Sequence, residues 1–357
     1  MYLTKLKSLI LYNNGDLRLV ERPSPRLSPN QCLIKIHKVG ICSSDISRTC
    51  NNDAYHYPLV IGHEISGEIV KIGNNVNKLH SGQRVAVFPL LPCFQCKECI
   101  SQNYSTCDNY SYYGSREDGG LSEYLAVNHW NCLVVPERLN PADTCLIEPI
   151  AVVINALSKV KNLNEKKHIL VVGCGFLGLI LCELLNKLYP FINVTIVDRN
   201  QNKLSILEKN KKNNCVLQIN GEISKNTIPH DFFDSVFELT GVATNFPLCI
   251  NYCKKRGEIV WVGNVNKDVT ITKKQISNVL RKELNIQGTW NSRFKGKNDD
   301  WITAVRYLNE KVISPAEYIT KIINLSDVPK TLKAMYDHKT RKIKLDYVKY
   351  VVDLNED

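Results

Sequence analysis

Two rhythms of apolar and polar positions divide this chain. Up to residue 150 the apolar residues fall in short alternating runs, CLIKIHKV, ISGEIVKIG and QRVAVF, separated by Gly, Pro and Asn. Alternation with a period of two turns one face to a core, so these runs predict short strands joined by long loops, in a small barrel or sandwich. From 151 to 290 apolar strands alternate with helical periods: HILVVG, FLGLILCELLNKL, NVTIVD and QNKLSILEKN, then DSVFELTG and GEIVWVGN. That βαβ rhythm predicts a doubly wound parallel sheet. Residues 291–357 return to mixed helix and strand, and no internal repeat or heptad pattern is present.

The 357 residues are 44% hydrophobic, which suits about two domains with packed cores. The opening MYLTKLKSLILYNNGD has a short apolar part and no small-residue cleavage site after it, so it does not read as a signal peptide. No run approaches the roughly 18 apolar residues of a membrane span. The expectation is a cytoplasmic protein with no membrane partner. A net charge of +11 admits nucleic acid or small anions as partners. The lysines are dispersed, many beside Asn as in KNLNEKK and EKNKKNN, which reads as solvated surface. Outside one cluster the cysteines, Cys182 and Cys249 among them, sit singly in apolar runs as small hydrophobes.

The cluster is Cys93, Cys96, Cys99 and Cys107, spaced C-x2-C-x2-C-x7-C in PCFQCKECISQNYSTC. Four thiolates complete a tetrahedral zinc shell with no open position, which makes a structural site. The run has no apolar period and is expected to be a loop stapled by the metal. Disulfide pairing is the competing reading, and the scattered cysteines of a reducing compartment argue against it.

In HILVVGCGFLGLILCELL, Gly173, Gly175 and Gly178 form G-x-G-x-x-G after an apolar strand and at the opening of a helix. Gly173 permits the turn, Gly175 lets the backbone approach a pyrophosphate, and Gly178 packs helix on strand. Phe176 and Leu177 lie at the helix N-terminus on which the pyrophosphate would rest. Asp198 ends the next strand 20 residues after Gly178. Its carboxylate suits ribose hydroxyls and repels a 2′-phosphate, so NAD is expected over NADP, with the adjacent Arg199 as a possible complication.

A second metal group is less legible. Cys42 in VGICSSDI, His63 and Glu64 in IGHE, and Glu148 in LIEPI offer zinc-type donors from separate segments. Spacing alone does not join them: His63 equally fits a hydrogen-bonded turn residue, and Glu148 the charged start of a helix.

GICSSD, GHE, the four-cysteine lobe, REDGGLSEY, LIEP, GCGFLG and VDRN occur in this order over essentially the whole chain, which thereby resembles the zinc-dependent medium-chain alcohol and polyol dehydrogenases. The resemblance implies a GroES-like β-barrel catalytic domain at 1–150 with a structural zinc lobe at 93–107. It implies a Rossmann NAD-binding domain at 151–290 and a return at 291–357 that completes the catalytic domain. Two zinc ions and NAD are the implied cofactors. Cys42 and His63 become catalytic zinc ligands, Glu64 a ligand or near neighbour, and Glu148 stands where simple alcohol dehydrogenases carry a cysteine, which points to the polyol branch. Asp45 would orient the zinc group, while Cys145 and Cys174 are not expected to be ligands.

The implied reaction is oxidation of a secondary hydroxyl, whose pKa zinc lowers, with hydride passing to the nicotinamide. Ser44 matches the family's proton-relay hydroxyl, and Ser47 stands where many relatives have histidine, leaving water or His56 as the proton's exit. HYPLVIGHEISG, VFPLLPCFQCKEC, YGSREDGGLSEY, LIEPIAV and LRKELNIQGTW resemble the branch that handles sugar alcohol phosphates, so galactitol 1-phosphate is the expected substrate. An unphosphorylated polyol or diol (sorbitol, xylitol, butanediol) or a pentitol phosphate is the alternative. Arg48, Arg116, Arg293 and Lys295 are candidate phosphate cations, and Lys282 is placed on the coenzyme domain or a helix face. The family forms homodimers or homotetramers, with the strand at NIQGTW as a candidate edge. A zinc-stapled nucleic-acid-binding protein is the remote alternative. It would lack a recognition helix beside the cysteines and leave the glycine motif unexplained, so no nucleic-acid partner is expected.

Overall fold

The strand Gln31–Gly40 organises the first half of the molecule. Cys32, Ile34 and Ile36 are fully buried and alternate with Leu33 and exposed Lys35, the period-two pattern of a sheet with one face in a core. A computed structural model describes residues 5–165, 167–209, 228–265, 267–296 and 298–355; the lysine-rich run EKNKKNN lies outside the described residues from position 210 onward. The chain forms two units, one of Met1–Pro149 with Arg293–Asp357 and one of Ile150–Ser292.

In the first unit the main sheet runs Cys132–Val134, Arg84–Val87, Glu64–Ile72, Gln31–Gly40, Lys349–Asp353, Ile319–Asn324, with Tyr124–Asn128 also paired to Gln31–Gly40. A smaller sheet joins Asp16–Arg22, Leu6–Asn13 and Leu59–Val60. The ladder between Gln31–Gly40 and Glu64–Ile72 slips between Ile36 and Lys38, which oppose the neighbours Gly67 and Ser66. Such a bulge re-aims the strand beyond it, and here it sets Gly40 opposite Glu64. The strand Lys349–Asp353 is buried at every position and pairs antiparallel with Lys38–Gly40. The last segment of the chain is thus a central strand of the first unit's sheet.

The second unit holds a parallel sheet in the order Asn193–Val197, His168–Val172, Phe233–Glu238, Cys253–Trp261, Asn285–Gly288. The chain steps one way from His168–Val172 and then crosses back to its other side. The strand order therefore reverses at His168–Val172, the position where open sheets of this kind bind ligands. The glycine motif follows that strand, and the helix Phe176–Leu188 spans the predicted apolar segment.

One local expectation changes: the cysteine loop contains a helical turn, Lys97–Ile100, because the Cys96 sulfur accepts the Cys99 N–H and caps it. Lys282 ends the helix Lys273–Lys282 in the second unit and is buried there. Its ammonium donates to the carbonyls of Ile250 and Cys253 at 2.8 and 3.0 Å and pairs with Asp231, closing the end of the helix Asn245–Tyr252. No helix among the described residues is long and apolar enough to cross a membrane.

Candidate functional site

The four cysteines of the lobe converge. Sulfurs about 2.3 Å from zinc in a tetrahedron lie roughly 3.8 Å apart. Cys93 and Cys99, and Cys96 and Cys107, have their sulfurs 3.9 Å apart, and all four fall within 4.8 Å of one another. A disulfide needs about 2.05 Å, and every described cysteine is free. Backbone N–H groups of Cys93, Cys96 and Cys99 point at the sulfurs of Cys107, Cys93 and Cys96 at 3.3, 3.4 and 3.4 Å. Backbone N–H groups of Gln95 and Cys96 pull the Cys93 thiol down to about 6, while burial and neighbouring sulfurs push Cys99 up to about 12. Crowded sulfurs competing for one negative charge are the set that a dication relieves. Trp130 packs against Phe94 and Tyr104 of the lobe and against Phe88 and Phe294 of the unit's core.

A second group brings Cys42, His63 and Glu64 within 4.8 Å, joining two of the separated segments that spacing could not connect. Cys42 caps the helix Ser43–Cys50, and Asp45 completes the cap by accepting the Cys42 N–H at 2.9 Å. Capping its own helix aims Asp45 inward, where its other oxygen lies 3.5 Å from His63 Nδ1 and 3.4 Å from Arg48. On the same helix the Arg48 guanidinium donates to Ser44 Oγ at 2.9 Å. His63 follows Gly62, whose φ of +94° is left-handed and suits glycine. Gly114 and Gly119 pack so closely on Gly62 that a Cβ on either would meet its carbonyl oxygen at 2.4 or 2.2 Å. That contact sets the edge of the Tyr112 ring beside His63, with centroids 5.8 Å apart.

Glu64 is held by a residue that sequence reasoning missed. The buried ammonium of Lys349 reaches its two oxygens at 2.6 and 2.5 Å. Gly40 makes room, since a Cβ there would sit 1.9 Å from Glu64 Oε2. The only trace of Lys349 in the sequence is a lysine inside the apolar run YVKYVV. Glu148 opens the helix Ile147–Leu157 and is not part of the close group. Its buried carboxylate accepts the Tyr112 hydroxyl at 3.3 Å, and burial pushes its carboxyl up to about 7.

The electrostatics favour a cation. Burial raises the Cys42 thiol, but the hydrogen bond and charge of His63 outweigh it and leave the thiol below its ordinary value. Burial lowers the His63 imidazole, and the charge of Asp45 outweighs that and holds it well above its ordinary value. His63 Nδ1 and Glu64 Oε2 are buried without a hydrogen bond of good geometry. Sulfur, imidazole and carboxylate together are a zinc donor set.

In the second unit Gly173 has a φ of +113°, and a Cβ on Gly178 would meet its carbonyl oxygen at 2.0 Å. A Cβ on Gly175 would meet nothing within 4 Å, so space is open where a pyrophosphate would approach. Asp198 Oδ2 accepts the Cys174 N–H and its Oδ1 the Asn200 N–H, both at 2.8 Å, tying the glycine loop to the next strand end. Phe176 and Leu177 begin the helix, and Arg199 is exposed beside Asp198. Cys145 and Cys174 are buried outside both sulfur groups. The candidate cations separate. Arg293 pairs with buried Asp300 at 3.0 and 2.7 Å, and Lys295 donates to the Trp130 carbonyl at 2.6 Å. Arg48 faces Ser44, and Arg116 lies between two tyrosines.

One unit with a parallel nucleotide-type sheet and another β-rich unit with a four-sulfur and a mixed donor group are the parts of a zinc-dependent dehydrogenase. Residues 28–137 match the family model of the alcohol dehydrogenase GroES-like domain, and residues 177–310 that of zinc-binding dehydrogenases. The chain is 31% identical over 318 residues to galactitol 1-phosphate 5-dehydrogenase of Escherichia coli (strain K12), covering 87% of this chain and 90% of that protein. It is 29% identical over 301 residues to sorbitol dehydrogenase of Bombyx mori, covering 81% and 84%. The crystal structure of galactitol-1-phosphate dehydrogenase from Escherichia coli superposes with a TM-score of 0.85 at 28% identity, covering 97% of this chain and 99% of that one. The chain belongs to the zinc-dependent medium-chain alcohol and polyol dehydrogenase family, with a GroES-like domain, a Rossmann domain, and zinc and a nicotinamide dinucleotide as cofactors. Membership accounts for the cysteine lobe and the glycine motif together, which the nucleic-acid reading did not.

Four substitutions test these contacts. Gly175→Ala should weaken NADH binding, read by fluorescence titration, without lowering the unfolding temperature. Gly178→Ala should instead destabilise the protein by about 1–3 kcal/mol through overpacking. Lys349→Met leaves Glu64 buried without its partner and should cost the chelator-treated protein about 3–5 kcal/mol in denaturant unfolding. Added zinc should recover part of that loss. Cys99→Ser should remove one zinc per chain by elemental analysis and lower heat tolerance while turnover per intact molecule persists. Loss of turnover with heat tolerance kept would mean the two metal groups have exchanged roles.

Proposed function

We propose that this protein oxidises a secondary hydroxyl of a sugar alcohol phosphate to the ketose phosphate with NAD as acceptor, and that galactitol 1-phosphate is the substrate. One observation carries the reading: a single short helix presents a sulfur donor, a hydroxyl and a cation at Cys42, Ser44 and Arg48, beside His63 and Glu64. The similarity to galactitol 1-phosphate 5-dehydrogenase supports the phosphorylated substrate, and that to sorbitol dehydrogenase keeps the unphosphorylated one as the reading to be excluded.

Cys42, His63 and Glu64 would hold the catalytic zinc, with Glu148 as the further carboxylate the set can draw on, and Cys93, Cys96, Cys99 and Cys107 the structural one. When bound, zinc supplies a Lewis acid for an alcohol oxygen and the dinucleotide supplies the hydride acceptor. Asp45 orients His63 and neutralises Arg48. Ser44 takes the alcohol proton. Because Arg48 donates to Ser44 Oγ, the serine's own hydrogen is directed away from the guanidinium. His56 meets the Arg116 carbonyl on an exposed loop, and Ser47 has no imidazole to offer, so we route the proton from Ser44 to solvent.

The glycine loop at Gly173, Gly175 and Gly178, with Phe176 and Leu177, would cradle the pyrophosphate. Asp198 would select NAD, since a 2′-phosphate brings negative charge beside its carboxylate, and the exposed Arg199 does not neutralise it. The edge strand Asn285–Gly288, with Ile276, Leu280 and Trp290 exposed in the same unit, supports pairing of two copies into a homodimer or a homotetramer. Free cysteines throughout the described residues suit a reducing cytoplasm.

The test is NADH formation by zinc-loaded protein on paired substrates. We expect kcat/KM for galactitol 1-phosphate to exceed that for galactitol by about tenfold or more, the worth of one charge-assisted contact. NAD should be preferred to NADP. Equal rates on galactitol or sorbitol would retire the phosphate while keeping the dehydrogenase chemistry.

A further inference from the structure

Arg116 carries a charge that no carboxylate among the described residues neutralises, although two acids follow it in the chain. Arg22, Arg48 and Arg293 each lie against a carboxylate. Glu117 is turned to the Ser111 hydroxyl at 3.0 Å, and Asp118 to Arg22 and to the Val60 N–H. The guanidinium is nonetheless fixed. It lies 4.4 Å from the ring centre of Tyr55 and 4.0 Å from that of Tyr110. One terminal nitrogen donates to the Tyr110 carbonyl at 2.6 Å and the other to the Tyr55 hydroxyl at 3.1 Å. Two of its five N–H groups are thereby used and three remain. A stacked, oriented and uncompensated guanidinium has little entropy left to lose on meeting a phosphate.

Its position ties it to the reacting centre. The N–H groups of Ser115, Arg116 and Glu117 all point at the Tyr112 carbonyl, at 3.2, 2.9 and 3.0 Å. The Tyr112 side chain runs inward from there to Glu148 and His63. The Arg116 main chain is therefore fixed to the residue whose side chain meets Glu148 and His63. The backbone carbonyl of Arg116 also meets His56, on the loop after the helix that carries Ser44 and Arg48. In a hexitol phosphate oxidised at the far end, bonds of about 1.5 Å put the phosphorus roughly 7 Å from the reacting carbon, so its cation must stand apart from the reacting centre.

We propose that Arg116, held between Tyr55 and Tyr110, is the subsite for the phosphate end of the substrate, whereas Arg48, tied to Ser44 and Asp45, serves the reacting end. The inference rests on the phosphorylated-polyol reading above. Arg116→Met and Arg48→Met are compared with wild type on galactitol 1-phosphate and galactitol, with zinc content and unfolding temperature measured alongside. Arg116→Met should reduce the preference for galactitol 1-phosphate over galactitol by about 10- to 100-fold, chiefly through KM, and Arg116→Lys should restore part of it. Arg48→Met should lower kcat on both substrates alike. A wild type that prefers the phosphate with an Arg116→Met variant that keeps the preference overturns the subsite alone. A wild type with no preference overturns the phosphorylated reading and the subsite with it.

Discussion

The ion pair between Lys349 and Glu64 is the constraint around which the first unit is arranged. Both side chains are almost wholly buried, and burying two charges costs several kcal/mol each before their attraction is counted. Such a pair is tolerable only when its geometry is fixed on every side. The bulge in Gln31–Gly40 sets the backbone, and Gly40 leaves the space that the Glu64 carboxylate fills. The strand Lys349–Asp353 delivers the ammonium from 285 residues away, and Asp353 at its other end pairs with Lys38 on the same neighbouring strand. The strand Lys349–Asp353 cannot be an appendage of this unit, because without it the Glu64 carboxylate would lie buried and unpaired.

The same reasoning extends to the whole group. Cys42, Asp45, Glu64 and Glu148 can each carry negative charge, and Lys349 and Arg48 are the cations set against them. A dication closes the difference, with His63 as a neutral donor. Burial, with the charge of Glu64 as a further cause, raises Glu148 to about 7: a third buried carboxylate ionises reluctantly beside the others. Tyr112 holds the Glu148 carboxylate in place beside the set, so it adds negative charge there without being one of the close donors.

What could be read from the chain follows from how local each signal is. The lobe cysteines lie within fifteen consecutive positions, so their spacing alone predicts a closed zinc shell, and their four sulfurs do converge. The glycine motif carries its strand and helix with it. The mixed metal group was different: its donors come from separated strands and helices, and only the family resemblance joined them. Lys349, Gly40 and Tyr112 were invisible for the same reason, since each acts through a partner remote in sequence. The four candidate cations looked equivalent as text. They differ only in what surrounds them: Asp300 for Arg293, a carbonyl and aromatic rings for Lys295, Ser44 and Asp45 for Arg48, and two tyrosine rings for Arg116.

Thiolates appear in both metal groups, and their surroundings decide what each does. In the lobe, four converging sulfurs that receive backbone N–H groups would fill a tetrahedral zinc shell by themselves and leave no position for a reactant. At Cys42 a single sulfur meets one imidazole and a carboxylate already engaged with Lys349, and a further carboxylate nearby is held by Tyr112. Those carboxylates are restrained rather than committed, so the donor set can leave a position for a substrate oxygen. On the proposed reading the closed group would serve the fold and the restrained group the chemistry, and the difference would lie in how many donors the protein leaves open.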